Sequence, residues 1–129
     1  YNANPDSMEN ALDFCQSLEW AGKKLYVLGS MLELGAESDQ AHEMICRIAA
    51  QSGADHVFLF GAEMVNAGHS ISWNNTAVGY YFGIEELSHA VAEVARAGDF
   101  VFIKGSRGMA LERLCPVLEV VNTSEAAHA

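Results

Sequence analysis

The stretch Lys104-Gly105-Ser106-Arg107-Gly108 sets two cations around a glycine and a serine, where an apolar run gives way to a helix-like one. A glycine lets the backbone turn tightly, and a serine at that place can cap the next helix. The free amides of a helix start carry partial positive charge, so with Lys104 and Arg107 beside them they make a cradle for a carboxylate or phosphate. Two of only seven Lys and Arg residues fall here, which favours a binding role. The plain alternative is that any strand-to-helix turn wants a glycine and a capping serine.

A second candidate is "LGSMLELG" at 28–35, which leaves another apolar run and carries one carboxylate, Glu33, beside Ser30 and Met31. By its residues alone it also suits an ordinary turn, with Met31, Leu32 and Leu34 covering a sheet edge. A third is "YNANP" at 1–5, whose asparagines and proline suit a turn ahead of a helix. Other chemistries lack their patterns. There is no GxxxxGK[ST] phosphate loop and no GxGxxG fingerprint, and "GHS" at 68–70 is not a nucleophile elbow. The five histidines show no HxxxH, HxH or Cys-His pairing, so no metal site is expected.

The elements that must position these residues alternate. The periodicity predicts helices over 5–21, 38–52 and 83–98, with a last helix starting at 106 and kinked or ended by Pro116. Asp6 or Ser7 is the expected cap of the first helix and Ser38 that of the second. Ala41, Met44, Ile45 and Ile48 are the expected inner face of the second, and Leu87, Ala90, Val91 and Val94 that of the third. Short apolar runs at 23–29, 55–61 and 99–105 predict strands, with a brief one at 80–82; residues 62–78 read as one helical turn and a loop. Apolar runs of this kind suit strands covered on both faces of a parallel sheet. The expectation is an α/β fold, a Rossmann-like three-layer αβα sandwich around a mainly parallel sheet. In such sheets ligands gather at the carboxyl ends of the strands, and three of the runs end there in glycine: Gly29, Gly61 and Gly105.

Composition bounds the function. The net charge of −10 opposes nucleic acid and an anionic membrane surface as partners. No apolar run approaches the roughly 20 residues that span a bilayer, and no secretory signal opens the chain. Cys15, Cys46 and Cys115 are too few and too scattered for a disulfide framework. They read as buried small hydrophobes in a reducing, cytoplasmic setting.

Three stretches together, "YNANPDSM" (1–8), "VLGSMLELGAES" with a histidine shortly after (27–42) and "FIKGSRGMALE" (102–112), resemble the C-terminal domain of Mur ligases. Within that family the resemblance is to the members that add D-alanyl-D-alanine to UDP-N-acetylmuramoyl-tripeptide. It spans residues 1–121, leaving 122–129 as an expected flexible tail. It implies an ATP-dependent amide ligase of peptidoglycan precursor synthesis. Central ATPase and N-terminal UDP-binding domains would belong to the same chain, and the central one would hold most of the ATP and Mg2+. It implies that Tyr1, Asn2 and Asn4 lie near the nucleotide. Lys104, Ser106 and Arg107 would lie near the dipeptide, and Ser30, Met31 and Glu33 would line the cleft between domains. Ser30 departs from the family's usual aspartate. The resemblance also implies that a lead-in strand precedes Tyr1 in the complete enzyme. The sheet is then expected to have its first strand truncated and an edge partly open, and the isolated domain to be inactive. The alternatives are the same domain of another Mur or folylpolyglutamate-type ligase, and a non-catalytic doubly wound binding module.

Overall fold

The apolar runs become four strands, β1 (Lys24–Gly29), β2 (His56–Phe60), β3 (Ala77–Tyr81) and β4 (Phe100–Lys104), in a computed structural model that describes residues 3–128. All pairings are parallel, and the order across the sheet is β3-β2-β1-β4. Among the described residues there are five α-helices: α1 (Pro5–Ser17), α2 (Ser38–Ala50), α3 (Ala62–His69), α4 (Ile84–Val94) and α5 (Cys115–His128). Among the described residues no strand precedes α1, and β3 and β4 form the sheet's edges.

Strand alternation builds the three layers. Tyr26 and Leu28 of β1 and Val57 and Leu59 of β2 join Met8 and Leu12 of α1, Ile45 of α2 and Met64 of α3 in one core. Leu25, Val27, Phe58 and Phe60 point the other way, against Leu87 and Val91 of α4 and Leu114. Each such fully buried side chain contributes about 1.5–3 kcal/mol, so both faces of the central strands work for stability. The doubly wound, three-layer expectation is met.

Local chemistry shifts several boundaries. Asn4 caps α1: its Oδ1 accepts the Ser7 amide at 2.9 Å while Ser7 Oγ accepts the Asn4 amide at 3.2 Å, a reciprocal capping box. Asp6 is not the cap, and α1 stops at Ser17, short of residue 21. Ser38 is the first residue of α2 and not its cap, which is Glu37. The buried stripe of α2 is His42, Ile45, Cys46 and Ala49, with Ala41, Met44 and Ile48 only partly covered. The helix is therefore rotated from its expected inner face, because α1 and α3 pack on it from either side. Residues 62–69 form a two-turn helix in place of the single turn expected, and β3 begins at Ala77, ahead of residue 80.

The largest departure comes after β4. Residues 107–114 are two short 3-10 turns, Arg107–Met109 and Leu111–Leu114, separated by Ala110 in the left-handed conformation (φ 49°). That residue breaks any continuous helix. Pro116 then lies in the first turn of α5, where its missing amide costs nothing, so it helps start the helix and does not end it. The helix runs to His128 without a break at residue 121. Cys15 and Cys46 are buried as expected, but Cys115 is exposed.

Candidate functional site

The strand order sets where a site can form. From β1 the chain winds outward through β2 to β3, then crosses back to place β4 on the other side of β1. At that reversal the loops leaving β1 and β4 part to opposite faces, opening a crevice at their carboxyl ends. Gly29 and Gly105 face each other there, and a Cβ on Gly105 would lie 2.9 Å from the Gly29 Cα. Only glycine lets the two strand ends approach so closely. Gly61 ends β2 at φ 106°, against the Ser30 side chain.

Beyond the glycines the two loops are stitched together. The Ser106 amide donates to the Ser30 carbonyl at 3.1 Å, and the Leu32 amide donates to Ser106 Oγ at 2.8 Å. Ser106 is 2% exposed and makes no cap bond to the turn after it. The expectation of a helix N-terminus capped by Ser106 is thereby corrected: its hydroxyl is spent on a residue 74 positions away, and Arg107–Met109 form only a single 3-10 turn. The anion-binding case at this spot rests on the side chains. Lys104 and Arg107 line an open hollow of about 410 Å³, together with Ile103, Leu111, Glu112 and Cys115. Its walls therefore combine two cationic groups and the Glu112 carboxylate with apolar surface, and its size suits a small organic ligand. Arg113 fixes the corner beneath it, donating from Nη2 to the Met109 carbonyl and from Nε to the Ala110 carbonyl, both at 2.9 Å.

The β1 loop separates its three candidates. Ser30 is fully buried, its Oγ accepting the Met64 amide at 3.1 Å, so it caps the N-terminus of α3 from a neighbouring strand. Met31 is 1% exposed and belongs to the core. Glu33 alone is exposed, and it holds φ 65°, a conformation that costs a non-glycine residue about 1–2 kcal/mol. The structure thus brings Lys104, Ser106 and Arg107 together with the backbone of 30–32, and sends the Ser30 and Met31 side chains inward. Asn4 is exposed, with its Oδ1 engaged in the cap of α1. Tyr1 and Asn2 lie outside the described residues.

Sequence reasoning quoted one histidine of the second resembling stretch but gave it no role, and it proves to be a buried polar group at this end of the sheet. His42, fully buried, accepts the Met31 amide on Nε2 at 2.9 Å, while its Nδ1 lies 2.7 Å from the Ser38 carbonyl. The signal available was its place on the 42, 45, 46, 49 stripe of α2. Elsewhere Asp39, Glu43 and Glu63 edge a hollow of about 200 Å³ between α2 and α3. Among the described residues no three His, Cys, Asp or Glu side chains are grouped to hold a metal, and no helix is long and apolar enough to cross a membrane.

Known proteins are similar to this chain in sequence and in fold. The UDP-N-acetylmuramoyl-tripeptide--D-alanyl-D-alanine ligase of Treponema pallidum is 49% identical over 122 residues, covering 92% of this chain and 26% of the relative. The enzyme of the same name from Bacillus subtilis is 37% identical over 116 residues, covering 88% and 25%. The chain therefore spans about a quarter of the length of the relatives it matches. Among solved structures, MurF ligase from Thermotoga maritima in complex with ADP superposes with a TM-score of 0.73 at 26% identity, covering 97% of this chain and 28% of that one. MurF from Acinetobacter baumannii gives 0.74 at 28% identity, covering 92% and 26%. Residues 1–107 match the family model described as Mur ligase, glutamate ligase domain, and on that match the chain belongs to the Mur ligase family.

Proposed function

We propose that residues 1–121 are the acceptor-binding domain of a ligase that joins D-alanyl-D-alanine to UDP-N-acetylmuramoyl-tripeptide. The observation that carries this reading is the hollow of about 410 Å³ beyond β4, with Lys104 and Arg107 on its wall. Relatives named for that reaction at up to 49% identity support it. A dipeptide brings one carboxylate, two methyl groups and one amine. Lys104 and Arg107 hold the carboxylate by charge-assisted hydrogen bonds, the guanidinium in the two-pronged manner that suits it. Ile103 and Leu111 take the methyl groups. The amine is left facing the cleft, where it must arrive unprotonated to attack an activated acyl group, and positioning it there is this domain's share of the catalysis.

ATP with Mg2+, held mainly by the central domain of the longer chain, supplies the activation of the tripeptide carboxylate. The residues present here fit a contact at the edge of that site. Asn4 caps α1 with its oxygen, which leaves the carboxamide nitrogen for a nucleotide, with Tyr1 and Asn2 as its neighbours in sequence. On this reading the domain works in the cytoplasm, where the nucleotide-linked precursor is made, and this chain alone neither hydrolyses ATP nor forms the amide.

The test is a ligation assay on the complete enzyme carrying this domain, following phosphate release and product mass with D-alanyl-D-alanine as acceptor. Lys104→Ala and Arg107→Ala should each raise the KM for the dipeptide about tenfold, the loss of one charge-assisted hydrogen bond, with the KM for ATP unchanged. Release that ignores the dipeptide, or a preference for a single amino acid such as glutamate, would overturn the assignment.

A further inference from the structure

The two loops of the acceptor site are joined by bonds from Ser30 and Leu32 to Ser106, and the residue between them reaches into the protein. Ser30 offers its carbonyl to the Ser106 amide, and Leu32 gives its amide to Ser106 Oγ. Between them, Met31 gives its amide to Nε2 of His42 at 2.9 Å. A backbone amide can only donate, so Nε2 must carry a lone pair. A carbonyl can only accept, so Nδ1, 2.7 Å from the Ser38 carbonyl, must carry the proton. The network therefore fixes one neutral tautomer of a fully buried imidazole. Ser38 Oγ lies 3.2 Å from the same Nδ1. The first turn of α2 thus orients the ring that orients the loop.

We propose that His42 is a positioning residue for the acceptor site. Resting on the ligase reading above, it sets the height and tilt of residues 30–32 from inside the core. Through Leu32 and Ser106 it aims the Lys104–Arg107 segment at the dipeptide. The exposed Glu33, held at φ 65° directly after the pinned residues, is a further product of the same restraint. A side chain packed only for its volume would need neither a fixed tautomer nor an acceptor at the Nε2 position.

The experiment compares wild type with His42→Gln, whose amide oxygen falls near the position of Nε2, and His42→Leu, which has no acceptor. In the 129-residue chain, imidazole nitrogen shifts should show a protonated Nδ1 and a bare Nε2. The Gly105 and Ser106 amide signals should move in His42→Leu and return towards wild type in His42→Gln. In the complete ligase, His42→Leu should raise the KM for D-alanyl-D-alanine about tenfold while leaving that for ATP within about twofold, as supporting residues behind a site do. His42→Gln should recover most of that loss. The proposal is overturned by an Nε2-protonated ring, by unmoved Ser106 signals in a folded His42→Leu, by a Gln variant no better than Leu, or by equal rises in both KM values. Should His42→Leu fail to fold, the tautomer and the Gln variant decide. If wild-type ligase ignores the dipeptide, the proposed function falls, and the nitrogen and amide shifts still judge the coupling of His42 to the loops.

Discussion

Cys46 shows how far a single side chain reports on its surroundings. It is buried between α2 and α3, its Sγ 3.7 Å from Met64 Sδ. Burial, reinforced by Glu43 and opposed by Arg47, pushes its thiol from the ordinary 9.0 up to about 12. Above pH 9 the unfolded chain releases this proton while the folded chain keeps it until about pH 12. The unfolded state then binds fewer protons, so stability is complete below pH 9 and falls across that window, by up to about 1.4 kcal/mol per pH unit for one group. Denaturant melts from pH 8 to 10.5 should show a steeper alkaline loss in wild type than in Cys46→Ala, which gives up about 1 kcal/mol of packing at neutral pH. Parallel curves would contradict the assignment. Single-residue features of this kind were unevenly legible. Cys15 could be read as buried from helical spacing and Cys46 only from the general habit of free cysteines, whereas Cys115 could not be read as exposed without knowing that α5 begins there. Ser106 looked like a cap because a local rule was the only one the sequence offers. Its true partner, Leu32, is distant in the chain.

At the scale of elements, the ends of β1 and β4 are tightly constrained. Gly105→Ala would drive a methyl group to 2.9 Å from both the Gly29 Cα and Leu111 Cδ1. One of those neighbours is backbone and cannot swing away, so the substitution should cost about 1–3 kcal/mol, read as a lower midpoint in a urea melt. An unchanged midpoint would mean that β1 and β4 can part without penalty. The strands were readable because β1 and β2 are apolar nearly throughout, which central parallel strands require. The start of β3 was not, since Ala77 and Gly79 carry no strand signal and pairing with His56 and Phe58 decides it. The second turn of α3 was hidden by Gly68, a poor helix former that is wanted there because Leu59 and Tyr80 press against it.

For the whole molecule, charge is the dominant sum. Seventeen acids against seven bases leave −10, most of it on solvated helix faces, and the folded state gathers that charge into a small volume. Screening by salt relieves self-repulsion, so the thermal midpoint should rise from 10 mM to about 300 mM NaCl, where the Debye length drops to several ångströms. A flat response would show that the acids are already locally balanced. The excess of acid also sets off the hollow at the strand reversal, where Lys104 and Arg107 stand against the sign of most of the surface.

The Ser106–Leu32 bond joins the last strand's loop to the first strand's loop, 74 residues apart in sequence. The hollow itself is lined by residues 103–115, so during synthesis the β1 loop is made early and stands without its Ser106 partner until β4 has emerged beside it. The hollow is therefore completed in a single late event, and a chain arrested before residue 100 would hold most of the core and none of the hollow's lining. Proofreading of the fold and licensing of the site are one and the same docking step.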